Sequence, residues 1–157
     1  MARTTFVHSF GINGKFENIG SVKANIDLEP ALLVGRDTTT GKLIKATKLA
    51  GSVVRALTMV TEGSMRKPGL AHVANPDEPL YAGQAQDMVE TFLVEVPKNT
   101  FSMAEVAVAT PIYLGLNGAW TKTVPTGTGT LKQQIGKVVE HNFIKIDLTN
   151  PQGEILA

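Results

Sequence analysis

Cysteine is absent from this chain of 157 residues. That excludes a disulfide, a thiolate nucleophile and a thiolate metal site, and leaves the redox compartment open. An excess of one charge is missing as well: fifteen Lys and Arg face fourteen Asp and Glu, and the basic residues are scattered. The electrostatic footprint of a nucleic-acid binder is therefore not present. No run approaches the ~18 apolar residues of a membrane span, and Met1-Ala2-Arg3-Thr4-Thr5 lacks the apolar centre of a signal peptide. The expectation is a soluble product made in the cytoplasm, with no membrane partner. Aromatic residues are few, six Phe, two Tyr and one Trp, and Phe6, Phe10 and Phe16 sit together near the start. Little is left for an aromatic-lined ligand pocket.

Catalytic signatures are also lacking. His8, His72 and His141 fall in separate parts of the chain with no ligand or base at working distance in sequence, so no metal motif forms. Ser9, Ser21, Ser52, Ser64 and Ser102 lie in no nucleophile elbow. Gly127-Thr128-Gly129-Thr130 followed by Lys132 has neither glycine spacing of a phosphate loop, and reads as a strand connection. Glu62, Asp77 and Glu78 are set among prolines and glycines and read as loop charges rather than an acid–base pair. The expectation is a protein that is not an enzyme and holds no cofactor or metal.

What is present is β-hairpin grammar. At this length one domain is expected, large enough to bury roughly two-thirds of its unfolded surface. Residues 1–28 read as an N-terminal arm: Phe6, Val7, Phe10, Ile12 and Phe16 are apolar, yet Gly11, Gly14 and Gly20 break any period. Burying each apolar side chain yields about 1.5–3 kcal/mol, while fixing each residue costs about 1–2 kcal/mol of backbone entropy. The arm thus either stays mobile until it meets a partner surface or folds as a strand on its own barrel. Residues 29–148 form the β domain, and 149–157 a C-terminal tail. Ala31 to Gly35 and Lys42 to Thr47 flank a polar turn ending in Gly41, a hairpin pattern. Val53 to Val60 reads as a buried strand, β-branched on both faces. From 61 to 86 prolines and glycines mark a long loop containing Met65 and Arg66, and loops of that length usually bind or pack on something. Asp87 to Val96 favours strand.

The clearest strands come last. Ile112-Tyr113-Leu114 turns at Asn117-Gly118 and returns through Trp120 to Val124. Ile135 to Val139 and Phe143 to Leu148 flank a turn at His141-Asn142. Trp120 shares a strand face with Lys122 at two-residue spacing, either as a buried anchor, the favoured reading, or as an exposed contact. The first hairpin and its following strand are echoed about eighty residues later by the Tyr113 to Val139 segment, so that two similar halves would close on each other. The fold class expected is all-β, a small barrel or sandwich of hairpins with an extended arm.

Two blocks carry a resemblance. Pro30-Ala31-Leu32-Leu33-Val34 through Thr40-Gly41-Lys42-Leu43-Ile44-Lys45-Ala46, and Thr110-Pro111-Ile112-Tyr113-Leu114 through Lys122 with Gln134-Ile135-Gly136-Lys137-Val138-Val139, resemble the head decoration, or capsid cement, proteins of tailed bacteriophages. They cover less than half of the chain. The chain departs from the short form of that family in its 61–86 loop, its longer C-terminal half and its aromatic arm. The resemblance implies a β-rich homotrimer in the virion, bound to the major capsid protein on the outside of the shell, with no catalysis. The contact candidates under that reading are Phe6, Val7, Phe10, Ile12, Phe16, Met65, Arg66 and Trp120. The alternatives from other classes are a phage tail, baseplate or fibre component and a ligand-binding β-barrel.

Overall fold

The computed structural model describes residues 5–8, 22–23, 25, 28–29, 31–49, 53–60, 85–86, 91–102, 106–149 and 153–157. Among them there is no helix; twelve strands form curled antiparallel sheets that make a half-barrel. In chain order these are β1 (Thr5–His8), β2 (Val22–Lys23), β3 (Leu33–Arg36), β4 (Leu43–Lys45), β5 (Thr58–Met59), β6 (Ala85–Gln86), β7 (Thr91–Glu95), β8 (Pro111–Leu114), β9 (Trp120–Thr121), β10 (Leu131–Glu140), β11 (Phe143–Asp147) and β12 (Gly153–Ile155).

The main sheet runs β1-β7-β11-β10-β8-β9, and β12 also pairs with β10. Its centre follows from sequence alternation. Ile144 and Ile146 of β11 are fully buried while Asp147 is exposed and Lys145 half-buried, the two-residue period of a sheet with one face on a core. Leu131, Gln133 and Ile135 of β10 point inward at the same period, but the next inward residue is Val138. The odd step coincides with a bulge: Gln134 pairs with Tyr113 and Gly136 with Ile112, leaving Ile135 as the extra residue. A bulge bends the strand and increases its twist, which is how one ten-residue strand serves β8 on one side and both β11 and β12 on the other.

The expected halves are visible in the pairing. β3 is central between β4 and β5, as β8 is central between β9 and β10. Each unit is a hairpin whose first strand is flanked by the strand that follows. The turns differ in chemistry. In the first, Asp37 accepts the Thr39 and Thr40 amides on Oδ1, both at 2.7 Å, and Gly41 adopts φ +68°. In the second, Asn117 (φ 50°) and Gly118 (φ 80°) with Ala119 N–H on Leu116 O at 3.0 Å make the type I′ turn that Asn-Gly favours.

The second turn is docked on the first unit. Leu33 N–H donates to Gly118 O (2.8 Å), Gly118 N–H to Ala46 O (2.7 Å) and Lys48 N–H to Gly115 O (3.2 Å). A β-carbon on Gly118 would press on Leu33 O and the Leu32 side chain, so this position needs glycine for space as well as for its left-handed backbone. Deeper in, the fully buried Gln133 uses both ends of its amide on one residue: Oε1 accepts Ala56 N–H and Nε2 donates to Ala56 O, each at 3.0 Å. A side chain here takes the place of a neighbouring strand. The core around it includes Leu33, Met59, Val94, Ile112, Leu114, Leu131, Ile135, Ile144 and Ile146; Leu28, Val34, Leu43 and Val60 form a smaller cluster.

Two expectations need adjusting. Val53 to Val60 is regular strand only at Thr58–Met59, because Ala56 pairs with a side chain, Val54 makes an isolated bridge to Thr47, and Leu57 N–H reaches Val34 O. Gly35 lies so close beneath this segment that a β-carbon would strike Arg55 O and the Val54 side chain. The C-terminal residues, read as a tail, contribute β12, held by β10 through the Leu131–Ile155 to Gln133–Gly153 register. At the other end, Thr5–His8 pairs with β7 of the same chain, in keeping with the strand reading for these four residues; the rest of 1–21 lies outside the described residues, as does 61–84.

Replacing Gln133 by Leu orphans a buried N–H and C=O, and should cost roughly 1–3 kcal/mol for each group. Gln133→Glu is the sharper test. A protonated carboxyl reproduces one donor and one acceptor, whereas burial raises its folded-state pKa above the unfolded value. The variant should therefore approach wild-type stability in acid, below the unfolded pKa of about 4.3, and lose it as pH rises through the folded pKa. Denaturant midpoints against pH check this; a variant equally stable at pH 4 and 8 would contradict the pairing.

Candidate interaction surfaces

Antiparallel pairing places directly opposed residues on one face, so the outer face of β8, β10 and β12 collects Tyr113 opposite Gln134 and Lys132 opposite Glu154. With Gly153 these residues line an open groove of about 420 Å³. Polar and apolar atoms line it in about equal measure. Among the described residues no group of three His, Cys, Asp or Glu side chains is placed to hold a metal ion.

A second surface lies where the two units meet. Lys48 O accepts Leu131 N–H at 3.1 Å while Lys48 N–H holds Gly115, and the Thr47–Val54 bridge closes the chain behind it. Three exposed apolar residues are next in sequence to these bonded residues: Leu49 (49% exposed) follows Lys48, Leu116 (47%) follows Gly115 and Val53 (38%) precedes Val54. Apolar side chains scattered singly need no explanation, whereas exposed ones that flank the backbone bonds of one joint are candidates for a contact rim. At the opposite end of β8, the Ala107–Thr110 turn exposes Val108 (63%) on a backbone with Ala109 at φ 73°.

Of the contact candidates read from sequence, Trp120 is half-buried and packs on the main core, its ring 6.2 Å from that of Phe101. That separation suits an aromatic pair, and it gives Trp120 the anchoring of β9 as a role. Phe6 and Val7 belong to the backbone of β1. Phe10, Ile12, Phe16, Met65 and Arg66 lie outside the described residues, together with His72, Glu62, Asp77 and Glu78. The glycine-rich connection is a turn with two of its amides engaged: Thr130 N–H donates to Gly127 O and Gly129 N–H to Leu156 O, which docks the last strand's end on it.

His141 is exposed, and the turn is organised by its neighbour. Asn142 is buried with φ 63°, its carbonyl accepts Val96 N–H at 2.8 Å, and its Oδ1 accepts Phe101 N–H at 3.3 Å. The residue therefore fixes the loop that carries Phe101 under Trp120. Sequence reasoning placed the turn there and missed this second duty. It also missed Gln133, for which a signal existed: a polar residue at even spacing between Leu131 and Ile135 in a strand stands on the apolar face and must find partners. The apolar rim had no such signal, since Leu49, Val53 and Leu116 are far apart in sequence.

Compared with protein-family models, curated proteins and solved structures, the chain matches none.

In the first turn, the amides of Thr40 and then Thr39 hold the Asp37 carboxyl below its ordinary value of 3.8. A carboxyl with a depressed folded pKa supports the fold above its unfolded pKa and loses that support as pH falls through the folded value. The Asp37 side chain should thus titrate below 3.8 by NMR, with Thr39 and Thr40 amide exchange rising over the same acid range. Asp37→Ala should raise exchange at both amides at neutral pH and abolish the acid step. Asn142→Ala offers a separate check: it loses the Phe101 bond and strains a left-handed backbone, at about 1–3 kcal/mol plus about 1–2 kcal/mol, whereas Asn142→Gly should lose mainly the first.

Proposed function

We propose that this chain is a structural virion protein that decorates the outside of a bacteriophage capsid and cements the shell, acting as a homotrimer on the major capsid protein. The observation that supports the reading is the exposure of Leu49, Val53 and Leu116, each next in sequence to a residue of the hydrogen-bonded joint between the two β units. The blocks that resemble decoration proteins are the ones that build those units, β3–β4 and β8–β9–β10. A cement protein needs a stiff body, a contact rim and repetition over a lattice. Each contact can then be weak, because many engaged together resist dissociation.

On this reading the rim seats on the shell or on a sister subunit at a shell symmetry axis, and burial of each aliphatic side chain contributes about 1.5–3 kcal/mol. The strand β1 stands at the edge of the main sheet among the described residues, and on this reading a neighbour's backbone adds there, a mode that relies on main-chain pairing.

Co-sedimentation with expanded heads that lack the protein, alongside unexpanded heads, tests the reading. The expected result is saturable binding to expanded heads only. Leu49→Asp with Leu116→Asp should keep the circular dichroism spectrum and thermal transition while weakening binding at least about tenfold, equivalent to 1.4 kcal/mol. Absence of binding to either form of head would overturn the cement assignment.

A further inference from the structure

Asn117-Gly118 joins two properties that seldom coexist. Asn followed by Gly is the dipeptide most open to deamidation, because no β-carbon shields the following amide. Asn117 is moreover exposed at the tip of a hairpin. Yet Gly118 is buried, and its N–H, the nucleophile for that reaction, is bonded to Ala46 O at 2.7 Å while its carbonyl accepts Leu33 N–H at 2.8 Å. We infer that Asn117 is a modification site, closed to deamidation while its turn is docked on β3 and β4 and opened when the joint between the two units separates.

The reaction needs only water. Gly118 N loses its proton and attacks Asn117 Cγ; the new C–N bond forms as the Cγ–Nδ2 bond breaks and ammonia leaves. Water then opens the succinimide at either carbonyl, giving aspartate or isoaspartate with a free carboxylate. Deprotonation removes the hydrogen bond to Ala46. Rotation about the Asn117 Cα–C bond, which brings the nitrogen to the side chain, turns the same N–H away from Ala46 and disturbs the bond to Leu33. The turn must therefore leave the sheet before it can react, a local opening of the kind native chains undergo.

The product makes the opening irreversible. Isoaspartate adds one backbone carbon to a two-residue turn, so Gly118 no longer falls in register with both Leu33 and Ala46. Asn99 and Asn142 also have positive φ, but Thr100 and Phe143 follow them, and their side chains hinder attack in the folded and the unfolded chain alike. They are internal comparators. The inference is independent of the capsid assignment.

The test incubates the full chain in native buffer, the full chain in urea, and a synthetic peptide of residues 113–121 at the same mildly alkaline pH. Mass spectrometry that separates Asn, Asp and isoaspartate follows each one. The expected result is conversion at Asn117 in the unfolded chain at the peptide's rate, and conversion in the native chain at least about tenfold slower, which an opening free energy of 1.4 kcal/mol suffices to give. Native conversion as fast as the peptide's would overturn the inference, and so would an unfolded chain in which Asn117 converts no faster than Asn99 and Asn142.

Discussion

The structure turns on one side-chain amide pairing with one backbone residue. β10 crosses the core with Leu131, Gln133 and Ile135 facing inward, and a polar group in that row demands complete satisfaction. Ala56 supplies it, offering an N–H and a C=O to the two ends of Gln133. The same bonds satisfy Ala56, which lies in a segment with no regular neighbouring strand. Two buried requirements cancel, and the bond pair ties residues 77 apart in sequence. A hydrophobic residue at 133 would fill the space and leave Ala56 orphaned; a longer regular strand at 53–57 would displace the glutamine.

From that joint the arrangement of the units follows. Leu131 N–H meets Lys48 O at the near end of β10, and the Asn117-Gly118 turn reaches back to Leu33 and Ala46. The units repeat each other in topology but not in the chemistry of their turns. The first is closed by a carboxylate on its own amides, the second by two left-handed residues whose backbone is lent to the first unit. That asymmetry makes the two halves a single body, and the bulge at Ile135 gives β10 the bend it needs to serve both β8 and the β11–β12 side.

Much of this was legible in the residues. Alternation in Phe143 to Leu148 and the Asn117-Gly118 dipeptide gave β11 and the second hairpin because each depends on local chemistry. The repeat was legible as recurring hairpin signals, and its topology agrees. Val53 to Val60 misled because its β-branched residues match a strand, while its hydrogen bonds are set by Gln133, Gly35 and Thr47 from elsewhere in the chain. β12 was hidden by Asn150-Pro151 and a short, half-exposed run, whose order comes from β10. The candidate contact residues were illegible for the same reason: only tertiary pairing brings Lys48, which precedes Leu49, onto Gly115, which precedes Leu116. Trp120, read as a buried anchor or an exposed contact, is half-buried against the core, and its partner Phe101 came from a loop positioned by Asn142.

The proposed capsid role is supported by the exposed apolar residues at the joint, and it requires that the joint be stiff. The Ala56 amide reports that stiffness directly through native-state hydrogen exchange. If Gln133 holds the two units as one body, Ala56 N–H exchanges only through global unfolding, with the free energy and denaturant dependence of the core amides of Ile144 and Ile146. Exchange of Ala56 at the rate of an exposed turn amide such as Thr123, with the core still protected, would show that the units move independently and would contradict the account.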